Sequence, residues 1–192
     1  KNYTKAIGKI NFVGINHGEN LKDFHPWEDY KKSYTSNKIL GGGVTLCQIH
    51  EFDYFSYLFA DFNILQSKSL ILKTSDLDIN VDDTSSHLFL LKKKKNKIVC
   101  NINLNFYEYP KNRTINYIGS KGKLFADLNK NKIFIFSRKK NIVKNFNISR
   151  NKLFEKEISY FFQCIKNKRV KHELDIFYAI KNLKFALKLL KK

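Results

Sequence analysis

The chain has 192 residues, 43% of them hydrophobic and 15% aromatic, and a formal charge of +19. That apolar content supplies one core, and the length suits a single domain over residues 1–192. No run approaches the roughly 18 apolar residues of a helical membrane span, and Lys1 to Lys5 lead into no apolar signal region. The cysteines, Cys47, Cys100 and Cys164, have no paired spacing and read as reduced thiols of a cytoplasmic protein. The chain opens on Lys1 and holds no methionine, which predicts a portion of a longer polypeptide. Its positive charge is nearly all lysine, the arginines being Arg113, Arg138, Arg150 and Arg169. Guanidinium is the group that reads bases and phosphates bidentately, so a solvated lysine surface is preferred to a nucleic-acid interface. Such a surface would also steer an anionic substrate.

Residues Ala6 to Asn16 read as a strand. The polar, aromatic-rich stretch from His17 to Leu40 reads as a long loop, a length often reserved for function. Gly41-Gly42-Gly43 opens an apolar segment, Val44 to Ala60, that is too long for a strand and is expected to be one buried helix. Strand patterns follow at Asn63 to Thr74, Ser86 to Lys92 and Ile98 to Phe106. In the last, Ile98, Cys100, Ile102, Leu104 and Phe106 alternate with Val99, Asn101, Asn103 and Asn105, giving a core face and a more polar one. Arg113 to Ile118, Lys123 to Leu128 and Lys132 to Ser137 continue the run, with turns at Lys92 to Lys97, Gly119 to Gly122 and Asn129 to Asn131. Leu153, Phe154, Ile158, Phe161, Phe162 and Ile165 fall at helical spacing, as do Leu174, Phe177, Ile180, Leu183, Leu187 and Leu190. Sequential strands without intervening helices imply an α+β fold: an open, mostly antiparallel sheet with helices on one face.

The glycines form no GxGxxG, so the pyrophosphate turn of a dinucleotide-binding unit is missing. Gly41 to Gly43 read as a tight turn before a buried helix, with an anion nest as the sharper alternative. Cys47 and His50 share a face of the expected helix and are open to reading as a nucleophile pair, a metal site or an ordinary buried pair. A metal needs three or four ligands, and no spacing supplies them. Asp76, Asp78, Asp82 and Asp83 sit in turn-like sequence and are expected to be solvated.

The segment GGGVTLCQIHEFDYFSYLFADF, from Gly41, resembles the start of the carboxy-terminal domain of the Gfo/Idh/MocA oxidoreductase family. There a glycine triplet precedes a helix with a catalytic Asp and His. Ala6 to Ile10 is similar to the family's ALGKI. HPWEDYKKSY, from His25 to Tyr34, resembles the loop of its sugar-nucleotide branch. SDLDINVDDTSSHLFLL, YEYPKNRTINYIGSKGKLFADL and FFQCIKNKR resemble later family segments in the same order.

The resemblance implies the substrate-binding half of a two-domain oxidoreductase. NAD or NADP would be held mainly by an amino-terminal dinucleotide-binding domain outside this chain, together with the family's Glu-Lys-Pro lysine. The substrate would be a sugar or nucleotide sugar, and the setting surface-polysaccharide biosynthesis. His50 matches the family's catalytic histidine and is the expected acid/base. Cys47 stands where the family has Asp, and a neutral thiol orients an imidazole poorly. His25, Trp27, Tyr30, Tyr34 and Tyr107 would line the sugar, with a hydrophobic plug as the alternative for Trp27. Arg113 would meet an acidic or phosphorylated part of the substrate. The sheet's asparagine-rich face would be covered by a second subunit, making a homo-oligomer. A non-catalytic binding module of the same fold is the second reading.

Overall fold

In the computed structural model the described residues are 3–168 and 175–191, so Leu174 of the second helical pattern, and Arg169, lie outside them. The first strand, β1 (Ile10–Gly18), starts later than its apolar pattern suggests, because Thr4–Ile7 form a 3-10 turn that buries Ile7. The connection that follows is not structureless. It holds a short helix, α1 (Leu21–Phe24), capped by the Asn20 side chain, and three 3-10 turns within residues 30–40.

The expected helix over Val44 to Ala60 is two helices, α2 (Val44–Cys47) and α3 (His50–Leu58). The break falls at Gln48, whose backbone leaves helical geometry (φ −98°, ψ 31°) while its buried amide donates to the Asn105 carbonyl at 3.3 Å. Cys47 and His50 therefore belong to different helices, one residue closing the first and the other opening the second.

Seven strands follow: β2 (Asn63–Leu72), β3 (Thr84–Lys93), β4 (Asn96–Asn105), β5 (Asn112–Gly119), β6 (Gly122–Asp127), β7 (Lys132–Ser137) and β8 (Asn141–Asn145). The last is too short and too polar to stand out in the sequence, and it forms by pairing on β7. All eight strands make one sheet in the order β2-β3-β4-β1-β5-β6-β7-β8. β1 lies in the middle, parallel to β4 and antiparallel to β5, and every other pairing is antiparallel.

Period two sorts the two faces. Ile98, Cys100, Ile102, Leu104 and Phe106 are all buried, joined across the sheet by Val13, Ile15, Phe89, Leu91, Ile115 and Leu124. On the other face the Asn103 amide donates to Asn16 Oδ1 at 2.9 Å, and Ser86 Oγ donates to Asn103 Oδ1 at 2.8 Å.

Two helices end the chain, α4 (Arg150–Lys166) and α5 (Ile176–Leu190). α5 packs on the inner face, but not through the stripe its spacing suggests. Phe177, Ile180, Leu183 and Leu187 are exposed, and Asn182, Phe185, Ala186 and Leu189 face the core. Phe185 joins the aromatic cluster of Phe52, Phe55 and Phe89, and the Asn182 amide donates to Asp53 Oδ1 at 2.5 Å. Both sides of α5 are apolar, so the polar pair and the ring contacts choose which one turns inward.

Asp83 is not a solvated loop acid. It is fully buried and accepts from Thr74 N (2.8 Å), Ser75 N (2.9 Å), Ser75 Oγ (2.6 Å) and Thr84 Oγ1 (3.0 Å). Burial alone would raise its carboxyl pKa, and these donors outweigh that and hold it below the usual range. It ties the segment between β2 and β3 to the sheet. Replacing Asp83→Ala strands two backbone N–H groups, and urea denaturation should show a loss of about 2–4 kcal/mol.

Candidate functional site

The sheet register brings the charged centre together. Val13, Ile15 and His17 point to the helix-covered face of β1, and His17 lies directly opposite Arg113 on β5. The first turn of α3 places Glu51 over this pair, with its side chain wholly buried. Arg113 donates to Glu51 Oε1 through Nε at 2.8 Å, and its Nη2 lies 2.7 Å from the same oxygen. His17 Nδ1 is 3.3 Å from that oxygen, and its Nε2 is 3.8 Å from Glu19 Oε2. Both are ion-pair distances without hydrogen-bond alignment. Lys111 Nζ then closes on Glu19 Oε2 at 2.6 Å. With His17 protonated, the groups alternate in sign from Arg113 through Glu51, His17 and Glu19 to Lys111.

A buried carboxylate is costly unless paired, and Arg113 supplies the pairing for Glu51. Burial opposes a charged His17, but Glu19 and Glu51 outweigh it and raise the imidazole above its ordinary value, with Arg113 acting the other way. Burial likewise opposes a charged Glu19, and His17 and Lys111 hold its carboxyl below the usual range. Glu51 Oε2 and Gln48 Oε1 are buried beside this network with no partner among the described residues. The Arg113 guanidinium also sits 5.2 Å from the centre of the Tyr54 ring. Its commitment in this chain is to Glu51, and only the N–H groups left over could meet an acidic ligand.

His50 is exposed at the start of α3. Cys47 is half-buried, and its thiol is pushed up to about 11, by burial first and by Asp82 second. It is therefore a neutral thiol near pH 7, not a substitute for a carboxylate. The Tyr34 hydroxyl is raised as well, by partial burial and then by Cys47.

The loop residues are presented outward. Trp27 is 77% exposed, its ring 5.2 Å from that of His25, so it is not a plug over the sheet edge. Tyr30 is half-buried and its hydroxyl accepts from Asp78 N at 3.3 Å. Tyr107 follows Phe106, whose ring packs edge-on against Phe24 at the start of this loop, and its hydroxyl accepts from Thr84 Oγ1 at 3.1 Å.

The glycine triplet is a turn and not an anion nest. The amides of Gly41, Gly42 and Gly43 donate to Lys38, Asn37 and Thr35 carbonyls, at 3.2, 2.9 and 3.0 Å. The Asp82 carboxylate accepts from Thr45 N at 3.0 Å and from Thr45 Oγ1 at 2.8 Å, occupying the start of α2. A pyrophosphate would meet used amides and a negative charge there, so the residues present do not fit a dinucleotide cradle. Among the described residues no three His, Cys, Asp or Glu side chains are grouped to hold a metal ion. No helix among them is long and apolar enough to cross a membrane.

Of the residues singled out from sequence, His50, Cys47 and the His25–Tyr34 loop belong to the loop and helix segment, and Arg113 joins the buried network. The sequence reading passed over Glu51, Glu19 and Lys111, and it left His17 as a loop histidine. Two signals pointed to them: Glu51 is a charge inside a nearly continuous apolar run, and His17 continues the inward period of Val13 and Ile15.

No protein-family profile matches this sequence. No curated protein matches it either. Solved structures do match. A candidate NADPH-dependent oxidoreductase from Desulfitobacterium hafniense superposes with a TM-score of 0.72 at 15% identity, covering 98% of this chain and 55% of that one. UDP-N-acetylglucosamine 3-dehydrogenase GnnA from Acidithiobacillus ferrooxidans gives 0.70 at 15% identity, covering 97% and 54%. Levoglucosan dehydrogenase, solved with NADH and levoglucosan, gives 0.64 at 15% identity, covering 86% and 52%. This chain therefore shares the fold that these oxidoreductases have over about half of their length. The chain spans about half the length of the structures it matches.

The raised His17 pKa has a consequence for stability. A group that binds its proton more tightly when folded stabilises below its unfolded value, and that contribution is lost as pH rises through the folded value. Unfolding free energy should fall as pH climbs above about 6.5, and urea midpoints of the His17→Asn variant should lack that decline.

Proposed function

We propose that these residues form the substrate-binding domain of a two-domain NAD(P)-dependent oxidoreductase that acts on a sugar or nucleotide sugar. NAD or NADP is held by a dinucleotide-binding domain outside this chain, since the glycine triplet here is closed to a pyrophosphate. The observation that carries the reading is the superposition on sugar dehydrogenases over nearly the whole of this chain and about half of theirs. A cytoplasmic enzyme of surface-polysaccharide sugar biosynthesis is the setting we infer.

Within this domain His50 takes or returns the proton of the reacting hydroxyl at an imidazole nitrogen, a task suited to histidine near neutral pH. Its place at the head of a helix, open to solvent, leaves it free to meet a ligand. Trp27, Tyr34 and His25 offer ring faces and hydroxyls to the sugar, and Tyr30 and Tyr107 line the approach. The Arg113–Glu51 pair holds α3 on the sheet and so fixes where His50 stands. In the full-length enzyme His50→Ala should lower kcat by about 10²–10⁴-fold, measured with nucleotide sugars and either cofactor. Unchanged turnover would remove His50 from the reaction.

Cys47 favours a second reading, a non-catalytic binding module of the same fold. A thiol that stays protonated cannot hold an imidazolium as a carboxylate does. Binding of a nucleotide sugar by a full-length protein without turnover would decide for it.

The outer sheet face belongs, in this proposal, against a second copy. Asn101 Oδ1 and Asn116 Oδ1 are buried there without a partner among the described residues, beside exposed Leu88, Val99 and Ile118. Light scattering should find an oligomer, and Val99→Lys should convert it to monomer with little change in the monomer's own melting.

A further inference from the structure

The positive charge of this chain is spread through its sequence, but the sheet gathers much of it at one end. The turn between β3 and β4, residues 92–97, carries five lysines. Because β1 runs parallel to β4, its first residues lie beside that turn and bring Lys9 with them. β5 ends where β1 begins, with Ile10 opposite Gly119, so the β5–β6 turn adds Lys121 and Lys123 there. Gly122 lies opposite Ser137, which sets the β7–β8 turn, with Arg138, Lys139 and Lys140, at the same end. All of these side chains are exposed except Lys93, which is half-buried and meets Asp61 at 2.9 Å. On the strands and the segments that join them, Asp61 is the one acid at this end among the described residues. Glu19, Asp83, Glu108 and Asp127 sit at the far end, where β1 finishes and His17 faces Arg113.

Distance decides what this grouping does. Neighbouring strands lie about 4.8 Å apart, so the turns form a row about 30 Å long, each within about 10 Å of the next. Salt at physiological strength screens a charge over about 8 Å, so the potentials of adjacent turns overlap along the row. The mixed far end is about 25 Å away along β1 and adds little to it. The result is a rim of one sign. Ammonium groups on long, flexible stems reach a common plane and meet phosphate or carboxylate headgroups wherever these lie. Reading a nucleic acid favours guanidinium forks, and this rim holds one arginine.

We propose that the basic rim seats the protein on an anionic lipid bilayer, as a peripheral contact of lysine ammoniums with headgroup phosphates and carboxylates. The far end of the sheet, with the His17–Arg113 pair and the helix that begins at His50, then faces away from the bilayer. This contact is independent of the reaction proposed above.

Vesicle co-sedimentation of the full-length polypeptide tests it, at about 0.15 M salt. The protein should pellet with vesicles of phosphatidylcholine and phosphatidylserine, and stay in solution with phosphatidylcholine alone. Replacing Lys95→Glu, Lys121→Glu and Lys139→Glu together, one residue from each turn, should weaken binding at least about tenfold. The matched triple Lys130→Glu, Lys132→Glu, Lys144→Glu has the same net charge but lies at the far end of the same sheet. It should weaken binding less than about threefold. All six side chains are exposed, so urea midpoints close to the parent's serve as the folding control. Equal loss in the two triples overturns the rim, because net charge alone then drives the binding. Failure to pellet with the mixed vesicles overturns it as well. So does duplex DNA that is retained at this salt and displaces the vesicles, which would give the rim to nucleic acid.

Discussion

Glu51 is a carboxylate with no access to water, and the arrangement around it follows from that condition. An ion cannot stay buried and charged without an opposite charge held close, so α3 can lie on the sheet only where Arg113 reaches it. Arg113 is in place because β5 pairs with β1 in the register that sets it opposite His17. His17 in turn carries the chain of charges outward to Glu19 and Lys111. One ion pair thereby couples the middle of an eight-stranded sheet to the helix whose first residue is the candidate acid/base.

The same economy appears at the other end of α2. Asp82 and Asp83 are neighbours in sequence, yet one fills the start of a helix and the other gathers the amides of the segment between two strands. With the Gly41–Gly43 amides bonded to carbonyls, this corner is closed to anions. The glycine triplet places α2 and does not bind a phosphate.

The two faces left open differ in chemistry. The outer sheet face is mixed, with asparagines bonded to each other between exposed aliphatic residues. The α4 face is almost wholly apolar. Surfaces so unlike suit contacts of different chemistry.

Much of the fold was legible in the residues. Strict alternation over Ile98 to Phe106 determined which side of β4 is core, because a strand's period of two leaves only one way to bury five apolar side chains. The order of strand and turn signals determined an open, mostly antiparallel sheet with helices on one face. Resemblance to a family motif, and not spacing, singled out His50, Cys47 and the aromatic loop. What the sequence did not decide were choices between local solutions of similar energy. Val44 to Ala60 breaks into two helices because Gln48 finds a carbonyl on a distant strand. α5 turns one of two apolar sides inward because Asp53 and a ring cluster await it. Glu51, His17 and Arg113 meet across long stretches of chain through register alone. Periodicity reports which residues share a face, and only tertiary packing decides what that face meets.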